Sequence, residues 1–513
     1  MSERAAVAGR SETRAGPTIG VIMDNVSGES RYSLWPGIAD TVRGHGGRLL
    51  CFAGGYLHDP EDFARRGNFI YDLIDADRLD GLIIWASSLA SYVGVDALRR
   101  FSERYRPLPM VSIGVTMEGI PGILLDSYGG MRQVVRHLIE HGRRRLAFVR
   151  GPEGHRDADE RFRAYLDTLQ EFGLPLIPEL ISPCYKWYEP GGPATVDLLL
   201  NQRRVHFDAL VCVNDMVAVE AIEALRGHGL RVPEDVAVTG FDDTPLGRFV
   251  TPPITTVPWR MYERGRQAVN LLLKMLAGEP TPAEVLLPTR LIVRQSCGCP
   301  SPTVLEAAAE SLLRDANHEE QTPQTQRERC LAALTTHLDP PERAAQFLDA
   351  FLSDLVGDAP GAFTATLEEI LRQDAAAGSD AGAWQGAISA LRRTLLPQLL
   401  NQPATLVRAE DLWHRARVMI GEHVFRARGY REWQAQNRAQ RLQRISHCLA
   451  TSARLPDLMD VLAEELPGLG IGCCYLALYD DPAAPGEWCR LVLAYDERGR
   501  TALGPEGRLV RAR

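Results

Sequence analysis

Short continuous apolar runs alternate with stretches of helical periodicity from Thr18 to Cys299. Continuous apolar strands separated by helices are typical of parallel sheets covered on both faces. There are too many elements for one compact sheet, so we predict an α/β fold with two stacked lobes. The predicted strands are residues 18–24, 48–54, 79–86, 108–114, 145–151, 207–213 and 235–241, and the predicted helices include 131–140, 161–172, 217–227 and 261–276.

A second pattern begins at Pro300, where strand-like runs stop and Ala, Leu, Glu, Arg and Gln become frequent. This composition predicts an all-α region over residues 300–443. The stretch from Leu406 to Leu449 lacks proline, which predicts one long helix. Its apolar positions could line a seam inside a helical bundle or in a dimeric coiled coil, and the irregular heptads leave both open. These positions are Leu412, Val418, Val424, Trp433, Leu442 and Ile445.

A third pattern covers residues 444–513. Two short helical stretches are followed by two predicted strands, 472–481 and 488–500, joined by a loop rich in proline and glycine. Two strands alone do not make a stable sheet. We therefore expect the sheet to be incomplete where the chain stops at Arg513.

Composition narrows the class of protein. Residues 1–17 lack an apolar segment, which predicts a disordered leader rather than a secretory signal, and no apolar run approaches the length of a membrane span. We therefore expect a cytoplasmic protein. The net charge of -9 gives no general reason to expect nucleic-acid binding.

Signs of catalysis or metal binding are weak. Cys297-Gly298-Cys299 and Cys473-Cys474 lack CxxC spacing and have no histidine partners arranged for zinc, so we predict ordinary reduced thiols and no metal site. No serine–histidine–aspartate arrangement or phosphate-binding loop stands out. We expect neither an enzyme nor a bound cofactor.

The most informative motif is VAVTGFDDTPLGRFVTPPITTV, residues 236–257. A buried strand runs directly into Asp242 and Asp243, and the carboxyl ends of parallel strands are where open α/β sheets bind ligands. An ionised carboxylate has two acceptor oxygens and can take paired hydrogen bonds from neighbouring hydroxyls. The motif therefore predicts a binding site for a polar small molecule.

This motif, the preceding ALVCVNDMVAVEAIEALRGHGLRVPEDV and the closing LPTRLIVRQSCGC resemble the sensor domain of LacI/GalR-type regulators. The resemblance covers residues 18–299. It implies the type I periplasmic-binding-protein fold, in which two Rossmann-like lobes are joined by three crossovers and a small molecule binds in the cleft between them.

The resemblance also implies particular site residues. Asp242 matches the family's ligand-gripping aspartate, and Arg161 matches the arginine that reaches into the cleft from the first turn of a helix. The alternative for Arg161 is a surface pair with Asp159 or Glu160. Asn214 follows a strand, so we expect it to contact ligand rather than act only as a turn residue.

Aromatic and structural roles follow in the same way. Trp187 matches the position where relatives stack an aromatic ring on a sugar or base, and Tyr188 is the alternative if the loop alignment slips by one residue. Asp243 is expected to cap backbone N–H groups of its turn, and Asp215 to cap the helix that begins there.

The first loop departs from the family pattern and reads DNVSGESRY at residues 24–32. Asn25, Ser30 and Tyr32 are nevertheless candidate ligand contacts. Arg31 and Lys186 make the predicted cleft more basic than a neutral sugar requires. A sugar, a sugar derivative, a nucleobase-like molecule and an acidic metabolite are therefore all open.

The surroundings of the sensor leave three functions open. Only 17 residues precede it, without a helical pattern, so we expect no helix-turn-helix and no direct DNA binding. Residues 444–513 resemble the beginning of a GAF-type domain. The preferred hypothesis is a small-molecule-sensing module that relays cleft closure through its C-terminal helices, in a homodimer. The alternatives are a LacI-type transcription regulator acting on DNA directly or through a partner, and the N-terminal part of a sensor histidine kinase or diguanylate cyclase.

Overall fold

The structure is a computed structural model that describes residues 16–24, 29–59, 67–187, 189–308, 323–338, 340–358, 360–377, 382–451, 454–479, 488–504 and 507–511. The chain forms two compact units. The first ends at Pro302 and the second begins at Thr303.

The first unit alternates strands and helices. Its strands are β1 (Thr18–Met23), β2 (Arg48–Ala53), β3 (Gly81–Ile84), β4 (Met110–Ile113), β5 (Gly122–Leu125), β6 (Leu146–Arg150), β7 (Ile181–Cys184), β8 (Ala209–Cys212), β9 (Ala237–Thr239) and β10 (Glu284–Leu287). Its α-helices are α1 (Glu29–Gly44), α2 (Ala86–Leu89), α3 (Val95–Glu103), α4 (Ser127–Glu140), α5 (Arg156–Glu171), α6 (Gly191–Asp197), α7 (Asp215–Gly227), α8 (Pro245–Phe249) and α9 (Met261–Leu276).

Two parallel sheets define two lobes, as the sequence predicts. The first lobe has six strands in the order β10-β5-β4-β3-β1-β2, and the second has four in the order β7-β6-β8-β9. The chain passes between the lobes after β5, after β9 and after β10. In the last two crossovers Thr256 and Ile292 lie side by side and exchange backbone hydrogen bonds of 3.0 and 2.7 Å.

Burial explains why the strand pattern is readable in the sequence. Every residue of β1, β3, β4, β5, β8 and β9 is buried, as expected for strands covered by helices on both faces. All seven predicted strands are present. β5, β7 and β10 were not among them: β7 contains a serine, a proline and a cysteine, β10 is partly exposed, and β5 is buried and apolar but was not recognised.

Described residues 303–451 of the second unit contain helices and turns and no strand, in agreement with the sequence prediction. The helices of this region are α10 (Pro302–Ala307), α11 (Pro323–Thr335), α12 (Pro341–Val356), α13 (Ala362–Ala377), α14 (Ala383–Leu399) and α15 (Pro403–Thr451). Phe347, Phe351 and Trp413 lie in their shared core, and the Phe351 and Trp413 rings stack with centroids 5.9 Å apart.

Helix α15 is one continuous element of 49 residues, as predicted, but its two halves differ. Leu412 and Ile420 in its first half are buried in the bundle core. Beyond them the large apolar side chains of Phe425, Trp433 and Leu442 are 78%, 55% and 52% exposed. The predicted seam is therefore buried within the second unit only near its ends.

The last part of the chain is an antiparallel sheet against a helix. It comprises α16 (Leu455–Glu465), β11 (Cys474–Tyr479), β12 (Trp488–Asp496), β13 (Gly499–Arg500) and β14 (Arg508–Arg511). The predicted strands 472–481 and 488–500 correspond to β11 and to β12 with β13, and β14, which was not predicted, also pairs with β12. The resemblance of this segment to a GAF-type domain stays a prediction. No helix in the described part of the chain is both long and apolar enough to cross a membrane.

Candidate functional site

A cavity of about 420 Å³ opens at the carboxyl ends of the parallel strands. Trp85 follows β3 in the first lobe, while Asn214 and Asp242 lie beyond the ends of β8 and β9 in the second. Because residues of both lobes line it, this is the interlobe cleft that the sequence predicts. The cavity-lining residues are Tyr56, Trp85, Ser87, Ser88, Ser91, His155, Asp157, Arg161, Trp187, Asn214, Met216, Asp242, Thr244, Leu246 and Trp259.

Arg161 and Asp242 form a buried ion pair in this cavity. Nη2 of Arg161 lies 3.3 Å from Oδ1 of Asp242, and Nη1 donates to the carbonyl of Val213 at 2.8 Å. The guanidinium also stacks on the ring of Phe241, 3.6 Å from its centroid. The alternative of a surface pair with Asp159 or Glu160 is therefore wrong. Arg161 lies in the second turn of α5 rather than the first, because the helix begins at Arg156.

The backbone of the GFDD turn is strained. Asp242 has φ 110° and Asp243 has φ 58°, values that residues with a Cβ rarely adopt. The turn is held by the crossover, since the Asp242 amide donates to the Val257 carbonyl at 2.7 Å and the Trp259 amide donates to the Asp242 carbonyl at 3.1 Å. Strain of this kind concentrates at ligand-binding sites.

Burial raises the pKa of Asp242 to about 6, although the nearby Arg161 cation opposes the rise. Its charge state therefore changes close to neutral pH. Above its pKa the carboxylate can accept two donors, and one of them is supplied by Arg161.

The two neighbouring aspartates have structural contacts that differ from those predicted. Asp243 accepts from Nη2 of Arg248 and Nη2 of Arg294, both at 2.6 Å, and no backbone N–H of a described residue donates to it. Asp215 accepts from the Thr244 amide at 2.7 Å and is buried, so it is not the helix cap. Burial, followed by the charge of Asp242, raises the pKa of Asp215 to about 7.

Asn214 is the residue that caps α7. Its Oδ1 accepts from the Val217 amide at 3.0 Å, so the turn role weighed in the sequence is real. The residue also lines the cavity, and its Nδ2 group donates to no described residue. Asn214 can therefore cap the helix with its oxygen and offer its amide donors to a ligand.

Aromatic rings form much of the cavity wall. Trp187 stands edge-to-face with His155 at a centroid distance of 5.1 Å, and Trp259 lies 6.3 Å from Trp85. Tyr188 and Asn25 lie outside the described residues. Ser30 and Tyr32 belong to helix α1, but their side chains also lie outside what the structure describes.

Several cavity residues escaped the sequence interpretation. Asp157 precedes Arg161 by one helical turn, so its spacing on the same helix face was an available signal. Trp85 lies at the end of the predicted strand 79–86 and Ser87 directly follows it, which was a second signal. Trp259 closes the crossover from the second lobe to the first, and no sequence pattern placed that crossover at the cavity.

Arg264 is a buried cation that forms no ion pair with any residue the structure describes. It is fully buried, and neither its Nε nor its Nη2 has a hydrogen-bond partner among the described residues. Burial lowers its pKa, whereas the charge of Asp157 opposes that change. A Cβ placed on Gly114 would lie 2.3 Å from Ser87 Oγ and 3.3 Å from Arg264 Nη2, so this guanidinium lies close behind the cavity wall.

Two histidines lie beside the Cys-Gly-Cys motif, outside the cavity lining. Nε2 of His137 is 3.3 Å from Sγ of Cys297 and 3.6 Å from Sγ of Cys299, and His141 is within reach on the next turn. The expectation that these cysteines have no histidine partners is therefore wrong for Cys297 and Cys299. The contact joins residues 160 positions apart, which the spacing of the motif could not reveal.

Comparison with known proteins identifies the family. A model of the periplasmic binding protein-like domain matches residues 135–297. The transcriptional repressor PurR of Haemophilus influenzae (strain PittEE) is 30% identical over 259 residues, which cover 48% of this chain and 74% of PurR. The chain belongs to the LacI family. CytR of Escherichia coli (strain K12) is 29% identical over 289 residues, 56% of this chain and 80% of CytR.

The LacI-family match is confined to part of each protein. CelR of Thermobifida fusca is 36% identical over 185 residues, which span 36% of this chain and 54% of CelR. The chain thus covers about half the length of that relative. All three relatives are named as HTH-type transcription regulators and none as an enzyme. The expectation that this LacI-family chain does not bind DNA directly stays a prediction.

Proposed function

We propose that this chain senses a small polar metabolite in the interlobe cavity and relays closure of the lobes through its C-terminal helices. The observation that carries the proposal is the buried Arg161–Asp242 pair at the cavity, which offers a planar donor fork and a carboxylate side by side. Asn214 supplies further amide donors. Trp187 supplies an aromatic face for the apolar side of a sugar or base.

The chemistry of the cavity also favours an acidic group on the ligand. Arg264 is buried and makes no ion pair with a described residue, and a buried charge left without a direct partner costs several kcal/mol, on the order of 3–5 when a partner is removed. A phosphate or carboxylate beside Ser87 would supply a direct ion pair for Arg264, in addition to the charge of Asp157. We therefore favour a sugar phosphate or sugar acid over a neutral sugar.

Titration calorimetry with sugars, sugar phosphates, sugar acids and nucleobases tests the proposal. We expect one class to bind, and Asp242→Asn to weaken its binding by about tenfold or more, because a charged hydrogen bond contributes about 1.5–3 kcal/mol. Asp235→Asn is the matched control, since Asp235 is an aspartate of the same lobe that pairs with Arg231 away from the cavity. No binding by any of these classes, or equal losses in both variants, would contradict ligand sensing at this site.

Transcription regulation is the second candidate function, and it is supported by the names of the relatives. In this case the relayed closure alters an interaction with DNA, made directly or through a partner. A gel-shift experiment with the purified chain alone separates the two routes. It is done at low as well as physiological salt, because contacts to DNA phosphates weaken steeply as the salt concentration rises. A shift by the purified chain would overturn our expectation that it does not bind DNA directly.

A further inference from the structure

A cluster of two histidines and two cysteines lies away from the interlobe cavity. His137 and His141 are one turn apart at the end of α4, so they share a helix face, and their ring centroids are 4.1 Å apart. Facing them is the Cys297-Gly298-Cys299 turn that closes the first unit. None of these residues lines the cavity.

The distances within the cluster suit a tetrahedral metal ion. Zinc bound at about 2.0–2.1 Å from nitrogen and 2.3 Å from sulfur requires nitrogen and sulfur ligands roughly 3.6 Å apart. His137 Nε2 lies 3.3 Å from Cys297 Sγ and 3.6 Å from Cys299 Sγ. Ligand atoms of His137, His141 and Cys299 all fall within 4.8 Å of one another. Cys297 Sγ is not within this distance of all three, so its side chain has to rotate to complete a four-ligand set around one ion.

The surroundings of the cluster also suit ligation. Nδ1 of His141 lies 2.7 Å from the His137 carbonyl oxygen. If Nδ1 carries the proton and donates to this oxygen, the lone pair on Nε2 is available to a metal. The Thr255 hydroxyl lies 3.1 Å from Cys297 Sγ and can donate to a thiolate. Gly298 has φ 99°, a conformation that side chains disfavour, and this turn brings both flanking thiols to the same histidine.

We propose that His137, His141, Cys297 and Cys299 bind one zinc ion. Two imidazoles and two thiolates form a complete ligand set without an open position, which is the signature of a structural rather than a catalytic site. The ion fastens the last residues of the first unit to helix α4. Binding displaces the thiol protons of Cys297 and Cys299 to solvent and changes no oxidation state.

Metal analysis of the untagged chain, purified under reducing conditions, tests this site. We expect one zinc per chain in the wild-type protein, and about tenfold or greater loss of zinc affinity in Cys299→Ser and in His137→Gln. Cys51→Ser is the matched control, because Cys51 is a half-buried cysteine of the same unit outside the cluster. Equal zinc content in Cys51→Ser and Cys299→Ser would overturn the proposal.

A second measurement needs no variant and covers the case in which a ligand substitution prevents folding. Addition of Co²⁺ to metal-free wild-type protein should give the strong visible absorption of tetrahedral cobalt and sulfur-to-cobalt charge-transfer bands. Zinc should then displace the cobalt and abolish both signals. Absence of these bands, or a Cys297–Cys299 disulfide in the reduced preparation, would overturn the site.

Discussion

The Asp242 carboxyl changes its charge state within the physiological pH range. Burial raises its pKa to about 6, so below pH 6 the group is mainly protonated and loses an acceptor. We expect the ligand affinity measured by calorimetry to rise between pH 5 and 7, by up to about tenfold per unit below the pKa, and to level off above it.

The effect of Asp215 ionisation has to be distinguished from that of Asp242 in this experiment, because burial raises the pKa of Asp215 to about 7, in the same pH range. The Asp215→Asn variant should keep the step near pH 6, whereas Asp242→Asn should bind weakly and without this step. A wild-type affinity that does not change from pH 5 to 8 would mean that ionised Asp242 is not required for binding.

Replacing Arg264 should have opposite effects on the stability of the protein and on its affinity for acidic ligands. Arg264 is a buried cation that pairs with no described residue, and an apolar side chain of similar length removes its desolvation cost, so Arg264→Met should raise the free energy of unfolding by about 1–3 kcal/mol. The same variant should lose affinity for acidic ligands and keep its affinity for neutral ones. Urea unfolding and calorimetry measure the two effects.

Arg266→Met is the control for that variant. Arg266 lies two residues further along α9, where it is about half exposed and pairs with Glu263, so its replacement should change neither property by more than about 0.5 kcal/mol. If Arg264→Met is destabilised and still binds acidic ligands normally, the guanidinium has a structural role and does not meet the ligand.

Site residues near the ends of strands could be predicted from the sequence. Residues that reach the site only after the chain crosses from one lobe to the other could not. Asp242, Arg161, Asn214 and Trp187 do line one cavity, because their motifs follow strands that share a sheet edge. Arg264 sits on a helix reached only after a crossover between lobes. Its position in the sequence carries no sign that the helix packs behind the cavity.

At the scale of elements, α15 has more apolar surface than the second unit covers. Trp433 is 55% exposed, and its ring stacks on Tyr430 with centroids 5.7 Å apart. We expect a second copy of this chain to cover this half of the helix, as the notion of a homodimeric relay requires. Trp433→Glu should therefore weaken dimerisation, measured by light scattering during size-exclusion chromatography.

A matched substitution on the same helix makes that measurement specific. Gln436 is exposed and polar, so Gln436→Glu should leave the oligomeric state unchanged. A wild-type chain that is monomeric at micromolar concentration would contradict the dimer, and equal effects of both substitutions would show only the cost of added charge.

Hydrophobic patterns predicted which strands and helices exist better than they predicted how the strands pair. The seven predicted strands and the long helix all exist, because each is defined by local periodicity. Of the three missed strands, β7 and β10 are partly exposed and show no continuous buried apolar run, whereas β5 is fully buried and was missed all the same. Likewise, the pairing of β14 with β12 depends on contacts that local sequence does not encode.

At the scale of the whole molecule, ligand sensing and signal relay are separable claims. The first unit and the second unit have separate hydrophobic cores, so a ligand can affect the second unit only if it favours one state of the whole chain. Ligand sensing and signal relay can therefore be tested separately.

Hydrogen exchange monitored by mass spectrometry distinguishes ligand binding from relay. With ligand, we expect slower amide exchange around residues 213–217 and 240–244, and an altered rate in residues 421–451 of α15. Asp242→Asn should abolish both changes and Asp235→Asn neither. Protection that stops at Pro302 in the wild-type protein would leave ligand binding intact and exclude relay through the helices.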